Sequence, residues 1–502
     1  MRLVDLMQNV AVEEVHGPLA VEVTGLRYDS RRVTAGDLFF AWRGQTSDGH
    51  RFLAAAVEGG AQVLVVEELP SLPLPVTVIR VASSRQAMAM MAQNFYGDPT
   101  REMAVVGVTG TNGKTTTTYL LEAVLAAAGQ APAVIGTVSY RFGQQTLVAP
   151  HTTPEAVELL AQVAQFHAAG ARSLVMEVSS HALDQYRADG IHFRVGVFTN
   201  LTPEHLDYHG DMERYFASKR RLFQELLPAA GGRAVVNVDD PYGARLAQLL
   251  PEAITCGRSH QAMVRPAELA VSLHGIHGEV VTPAGPVRLA SPLLGEFNVE
   301  NLLGAIGAGI ALGLPPAVIE RGLALARAVP GRLERVANQR GAVALVDYAH
   351  TGDALDRVLQ ALEALHPARI VTVFGCGGDR DSRKRPVMGE VAARRSAIAV
   401  VTSDNPRTED PLQIIEQIRR GVAAIHPREW SREEAMIGNG RGYLVIPDRR
   451  AAIRFAVSLL RSNDILLVAG KGHEDYQILG TTRIHFDDRE ELQAAFAEGS
   501  AA

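Results

Sequence analysis

The chain has 502 residues, more than one ordinary core holds, so about three domains of typical size are expected. Hydrophobic residues make up 47% and charged residues 21%, a globular balance, and a net charge of −6 offers no basic face to a nucleic acid. Cys256 and Cys376 lie far apart with no CxxC, which excludes a disulfide framework or zinc ribbon and suits a reducing compartment.

Residues 1–98 read as a small α/β unit. Its first stretch carries Arg2, Asp5, Glu13 and Glu14 and lacks the basic start and apolar run of a signal peptide, so a cytoplasmic location is expected. β-like runs at Ala20 to Val23, Leu38 to Ala41, Val63 to Val66 and Val76 to Val81 alternate with a helical stretch near Leu53 to Glu58. Gly97-Asp98-Pro99 reads as a linker.

Residues 99–330 carry apolar runs at Ala104 to Val108, Ala133 to Gly136, Ser173 to Val178, Val195 to Thr199 and Ala234 to Val238, with helical patterns between most of them. That alternation predicts a doubly wound, mostly parallel sheet with its chemistry beyond the carboxyl ends of the strands. The first run enters Gly110-Thr111-Asn112-Gly113-Lys114-Thr115-Thr116 and then a helix. Such a turn binds a nucleoside triphosphate: backbone N–H groups and the helix N-terminus face the phosphates, Lys114 reaches the terminal ones, and Thr115 ligates Mg²⁺. The longer GxxxxGK[ST] pattern would need a glycine at Val108.

His151-Thr152-Thr153-Pro154 precedes a helix, with Thr153 expected as N-cap and Pro154 at the first helical position; the hydroxyls could also meet a substrate phosphate or carboxylate. Glu177 ends a strand, where a carboxylate can hold Mg²⁺ or cap the next helix. His205, in Thr202-Pro203-Glu204-His205-Leu206-Asp207, reads equally as a ligand or a structural histidine. Lys219, in an amphipathic helical pattern, reads by itself as a solvated surface residue. The uncharged stretch Leu302 to Ile319 touches the lower limit for a membrane span, but Gly313 and Pro315-Pro316 suit two buried helices better.

Residues 331–502 repeat the α/β rhythm, with strands expected at Val343 to Asp347, Ile370 to Phe374, Ile398 to Thr402 and Ile465 to Ala469. Polar loops follow them: Asp347-Tyr348-Ala349-His350, Gly375-Cys376-Gly377-Gly378-Asp379-Arg380-Asp381, Asp404-Asn405-Pro406-Arg407 and Gly470-Lys471-Gly472-His473-Glu474. Together they imply a second ligand cleft, and arginines there suit carboxylate recognition.

In order, GTNGKTTT, EVSSHAL, TNLTPEHLDYHG, DYAHTGDAL, GCGGDRD, DNPR and GKGHE resemble the Mur ligases, the ATP-dependent amide-forming enzymes of bacterial cell-wall synthesis, and most closely their tripeptide-forming branch. The resemblance covers nearly the whole chain. It implies a small N-terminal α/β domain (1–98) for the UDP-muramoyl substrate. It also implies a central P-loop domain (99–330) for ATP and a C-terminal Rossmann-like domain (331–502) that admits the amino acid and closes over the second. The implied reaction activates the side-chain carboxylate of D-glutamate in UDP-MurNAc-L-Ala-D-Glu as an acyl phosphate, which an amine then attacks.

The resemblance also implies residue roles. Gly110 to Thr116 would bind the triphosphate; Thr115 and Glu177 would hold Mg²⁺, with His205 near a second ion. Lys219 matches a carbamylated lysine that ligates metal, against the surface reading. Asn298, Arg332, Asp347 and His350 match nucleotide contacts. Ser30, Gln45, Thr46, Ser47, Thr152, Thr153, Ser179, Gln185 and Arg187 match UDP-substrate contacts. Arg380, Asp404, Asn405, Pro406, Arg407, Gly470 and Glu474 would read the incoming amino acid, and DNPR is the family's mark of meso-diaminopimelate. A monomer is implied, with no nucleic-acid or membrane partner. The L-lysine-adding form of the enzyme and a folylpolyglutamate-synthetase-like ligase are the alternatives.

Overall fold

The computed structural model describes residues 1–44, 47–71, 74–326, 328–438 and 440–498. They form two compact units. One comprises Met1–Ala267, Glu279–Arg288 and Glu300–Leu325; the other comprises Glu268–Gly278, Leu289–Val299 and the chain from Ala326 onward.

The first unit holds two sheets. Val12–His16 (β1), Gly25–Arg27 (β2), Asp37–Phe40 (β3), Val63–Val66 (β4) and Thr77–Val81 (β5) pair in the order β1-β5-β4-β3-β2. β2 to β5 are parallel and β1 is antiparallel to β5. The expected run at Ala20 to Val23 is not a strand of this sheet. Leu3 N–H donates to Val21 O and Val23 N–H to Met1 O, both at 2.8 Å, so that segment pairs with the first residues instead.

The second sheet contains Ala104–Thr109 (β6), Pro132–Ile135 (β7), Ser139–Phe142 (β8), Gln145–Val148 (β9), Ser173–Glu177 (β10), Phe193–Phe198 (β11), Arg233–Asn237 (β12) and Ile254–Cys256 (β13). Their order is β13-β12-β11-β6-β10-β7-β8-β9. The strands from β13 to β7 run parallel, and β8 and β9 add an antiparallel edge. β6 and β10 are buried almost throughout, as continuous apolar runs covered by helices on both faces are. β6 sits between β10 and β11, where the winding reverses, so the crevice at its carboxyl end is the natural ligand site.

One apolar cluster runs from Leu3 and Leu6 through both sheets. Tyr28 Oη donates to Glu158 at 2.9 Å and Arg85 pairs with Glu155 at 3.0 Å, tying helix Ala156–Ala168 to the first sheet's side. The uncharged stretch resolves into helices Phe297–Ala311 and Pro316–Ala324; no helix among the described residues is long and apolar enough to cross a membrane. Arg265–Ser272 (β14), Gly275–Val281 (β15) and Val287–Ser291 (β16) form a small sheet of their own.

In the second unit, Glu334–Val336 (β17), Val343–Asp347 (β18), Ile370–Phe374 (β19), Ile398–Val401 (β20), Gly442–Val445 (β21) and Ile465–Ala469 (β22) form a sheet in the order β17-β18-β22-β19-β20-β21. All pair in parallel except β17, and apolar clusters cover both faces. An antiparallel hairpin, Tyr476–Leu479 (β23) and Thr482–His485 (β24), follows. Cys256 and Cys376 are buried free thiols.

Candidate active site

The loop after β6 is shaped by what lies against it. Gly110 has φ +147°, and a Cβ there would sit 1.9 Å from Thr199 Oγ1, so only glycine lets the loop approach the end of β11. Thr199 Oγ1 donates to Asn112 O at 2.6 Å, Asn112 N–H to Asn200 Oδ1 at 2.9 Å, and Thr111 N–H to Asn200 O at 2.9 Å. Thr111 Oγ1 donates to Thr202 O at 3.2 Å and stands 3.1 Å from Tyr215 Oη. Gly113 precedes helix Lys114–Ala127, whose N-terminus faces the loop. Val108 lies inside β6, so here the strand runs on through Thr109 and the turn is confined to GTNGKT.

Lys114 Nζ donates to Gly110 O at 2.9 Å and Thr111 O at 2.7 Å. Thr115 and Thr116 are buried in the first turn. Thr115 Oγ1 donates to Glu177 Oε2 at 3.1 Å, which brings the two expected Mg²⁺ ligands into direct contact. Glu177 ends β10 and is itself buried.

Lys219 is not a surface residue. It is 1% exposed in helix Met212–Arg221, and its Nζ donates to Gly110 O at 2.8 Å. Helical periodicity shows the amphipathic face but not a backbone carbonyl lying far away in sequence. Burial first, and the nearby Lys114 second, hold its amine well below the usual lysine range. His205 adopts a left-handed backbone at φ +57° and stays half-exposed, with its ring edge-on to His181 at 4.9 Å. Burial lowers its pKa, Glu204 opposes, and Lys114 and Lys219 lower it further, so its imidazole is biased to the neutral, ligating form.

Thr152, Thr153, Ser179, Gln185 and Arg187 form one connected wall. Thr153 does not cap the next helix as expected: that helix starts at Ala156 with Glu155 at its boundary. The Thr153 hydroxyl is drawn to a tertiary partner instead, donating to Glu177 O at 2.8 Å and accepting from Ser179 N–H at 3.2 Å. Arg187 donates to Thr153 O at 3.0 Å and Gln185 Oε1 at 2.7 Å, and its Nε is buried without a hydrogen-bond partner. Ser179 instead caps helix Ser180–Asp184. No hydrogen bond among the described residues joins Ser30 or Ser47 to this wall; Gln45 and Thr46 lie outside the described residues.

In the second unit, Asp347 ends β18 and accepts backbone N–H groups from Leu333 and Ala349, each at 2.8 Å, so it shapes its own loop. Burial raises its pKa, and Arg332 opposes that. The Arg332 guanidinium stacks 4.9 Å from the Tyr348 ring centroid, His350 Nδ1 lies 2.9 Å from Tyr348 O, and Asn298 donates to Leu294 O at 2.7 Å. Arg380 is exposed and donates to Asp379 O at 3.2 Å. Asp404, Asn405, Gly470 and Glu474 converge at the ends of β20 and β22, with Asn405 Nδ2 donating to Glu474 at 2.8 Å. Pro406 lies between Asn405 and Arg407, whose Nη1 donates to Gly378 O at 2.8 Å. No described residue accepts from its Nε or Nη2, the edge that grips a carboxylate bidentately.

Sequence reasoning passed over Thr137. Its N–H donates to Glu177 Oε1 at 2.8 Å, its hydroxyl to Glu177 Oε2 at 3.0 Å, and the same hydroxyl stands 3.1 Å from Thr152 Oγ1. The signal was present: Thr137 is polar and sits just past the carboxyl end of β7, the place that marked Glu177. Replacing Thr137 with Val keeps shape and backbone bond but removes the hydroxyl. The Mg²⁺ concentration for half-maximal turnover should then rise on the order of tenfold with little change in melting temperature. An unchanged Mg²⁺ titration removes Thr137 from the site.

Three family descriptions match in succession: "Mur ligase family, catalytic domain" over residues 22–96, "Mur ligase middle domain" over 108–309 and "Mur ligase, glutamate ligase domain" over 331–472. The UDP-N-acetylmuramoyl-L-alanyl-D-glutamate--2,6-diaminopimelate ligase of Geobacter metallireducens is 53% identical, over 100% of this chain and 99% of its own. The chain belongs to the Mur ligase family. The like-named ligase of Geobacter sulfurreducens is 52% identical to this Mur ligase, covering 99% of each. A solved structure of a ligase of that name superposes with a TM-score of 0.74 at 31% identity, over 100% of this Mur ligase and 99% of the other chain.

Proposed function

We propose that this Mur ligase joins an amine of meso-2,6-diaminopimelate to the D-glutamate side-chain carboxylate of UDP-MurNAc-L-Ala-D-Glu, while ATP is cleaved to ADP and phosphate. The observation that carries this reading is the 53% identity, across the full length of both chains, to a ligase named for that reaction. Residues 1–98 serve the UDP-muramoyl substrate together with the Thr153 wall, 99–330 serve ATP, and 331–502 serve the amino acid. The enzyme works as a cytoplasmic monomer without a nucleic-acid or membrane partner.

A glutamate carboxylate oxygen attacks the γ-phosphorus of ATP. An O–P bond forms, the bond to the ADP oxygen breaks, and an acyl phosphate results. The amine then attacks the acyl carbon through a tetrahedral intermediate; a C–N bond forms, phosphate leaves and the amine sheds a proton. Two anions must meet in the first step, so cations govern its barrier. Lys114 supplies one by exchanging its contacts with Gly110 O and Thr111 O for the phosphates.

The donor set fits Mg²⁺. The Thr115 hydroxyl and Glu177 carboxylate are hard oxygen ligands already in contact, and neutral His205 suits a second position. Lys219 fits this set as a carbamate. Its amine is buried, biased to the neutral form that attacks CO₂, and crowded by Lys114, whose charge an anion would balance. Mg²⁺, when bound, neutralises phosphate charge and orients the γ-phosphoryl group.

For the amino acid, the Nε–Nη2 edge of Arg407 suits the distal carboxylate and Glu474 the ammonium beside it. With purified enzyme, ATP, Mg²⁺ and UDP-MurNAc-L-Ala-D-Glu, phosphate release should require meso-diaminopimelate and remain at background with L-lysine. Turnover with L-lysine alone sinks the diaminopimelate assignment; no turnover with the UDP-muramoyl dipeptide sinks the reaction class.

A further inference from the structure

The GKGHE loop contains a lysine for which the proposed chemistry has no use. Lys471 is 0% exposed, so it cannot touch a substrate. Its Nζ lies 3.1 Å from Asn405 Oδ1, 3.4 Å from Asp404 Oδ1 and 3.7 Å from Glu474 Oε2. Asp404 and Asn405 follow β20, while Lys471 and Glu474 follow β22, and β19 runs between those strands. The ammonium therefore bridges two loops over the end of a third strand.

The packing around it is tight. Gly470 has φ +114°, and a Cβ there would come within 2.8 Å of Asp404 Oδ2. Hairpin β23–β24 braces the other side. Gln477 Nε2 donates to Asp404 O at 2.6 Å and Ile478 N–H to Asn405 Oδ1 at 3.0 Å. Arg407 N–H donates to Ile478 O at 3.1 Å, and Gly480 N–H to Arg407 O at 2.8 Å. Arg407 itself is left-handed, at φ +51°, so its direction depends on these braces.

We propose that Lys471 is a positioning residue for the incoming amino acid: its buried ammonium locks Asp404, Asn405 and Glu474 into one unit that accepts the substrate's distal ammonium and steadies the loop carrying Arg407. The inference rests on the reading given under Proposed function. One lysine against two carboxylates leaves one negative charge, the complement of one ammonium. Without Lys471, two crowded carboxylates face each other, and one must take a proton or swing away. Burial and Asp404 already raise the Glu474 pKa, and Lys471 opposes them.

Two full-length variants test this by phosphate release: Lys471→Met removes charge and hydrogen bond, while Lys471→Gln keeps a donor toward Asn405 without the charge. Both should raise the KM for diaminopimelate by at least about tenfold, with kcat within threefold and the KM values for ATP and the UDP-substrate unchanged. If Lys471→Met does not fold, Lys471→Gln decides. A KM for diaminopimelate within twofold of the parent overturns the proposal, as does a parallel rise in the KM for ATP or full recovery by Gln. If the parent enzyme uses L-lysine and not diaminopimelate, the function reading fails; the same variants assayed with L-lysine then judge Lys471 separately.

Discussion

Lys219→Ala should reduce turnover on the order of 10³-fold, the scale on which one preorganised charge-stabilising group acts. The substitution removes more than a surface cation. Lys219 is buried, reaches the same Gly110 carbonyl as Lys114, and has its amine held toward the neutral state by burial and by that neighbour. A neutral buried amine can add to CO₂ with loss of a proton, and a carbamate there would turn the repulsive pair with Lys114 into an attractive one. Acetate or formate at high concentration should restore part of the lost activity to Lys219→Ala by entering the vacated space as a replacement anion. Labelled bicarbonate should give the parent enzyme a carbamate carbon resonance that the variant lacks. Unchanged turnover in the variant refutes the role; lost turnover without that resonance in the parent refutes the carbamate.

Arg407→Ala should raise the KM for diaminopimelate by about 10²-fold, since a charge-assisted bond contributes roughly 1.5–3 kcal/mol and this arginine presents a two-pronged edge. L-lysine has no distal carboxylate, so its poor turnover should change little and the preference between the two should narrow. Arg407→Lys should not restore the preference, because an ammonium cannot reproduce the planar fork. Competition between the two amino acids in one assay reads the ratio directly. A preference that survives Arg407→Ala assigns the selection to other residues.

Strands buried on both faces were legible in the sequence. Val343–Asp347, Ile370–Phe374 and Ile465–Ala469 are short, continuous β-branched or apolar runs bounded by polar loops, and they occupy those bounds in the sheet. Strands that depend on distant partners were not: Val12–His16 is a half-buried edge, while Ala20 to Val23 looked more strand-like and pairs with the N-terminus. Helix Ser84–Phe95 went unread because its run of Ala and Met has no sharp polar face to mark a period. In the site, residues at strand ends were found because topology places ligands there. Lys219 and Thr153 were misread from local pattern, since a carbonyl contributed by another strand or loop decides each of them. Lys471 stood in plain view within its motif, but only tertiary structure shows an ammonium with no access to solvent.

The hydroxyls around Glu177 carry a direction as well as a position. Thr137 has one proton, and it points to Glu177 Oε2. The contact between Thr137 and Thr152 must then run from Thr152 to Thr137, which turns the Thr152 proton inward. Thr153 likewise sends its proton to Glu177 O. Thr153 is buried and its oxygen accepts from Ser179 N–H, so of the two threonines only half-buried Thr152 keeps a lone pair outward, and neither has a proton to spare. An oxygen with its proton so committed repels phosphate or carboxylate oxygens and accepts an amide N–H. At Thr152 a bound peptide would be met by an oxygen that takes an amide N–H, while its anionic groups must find their donors elsewhere; Arg187, in the same hydrogen-bonded set, already pairs with Glu155 at 3.0 Å.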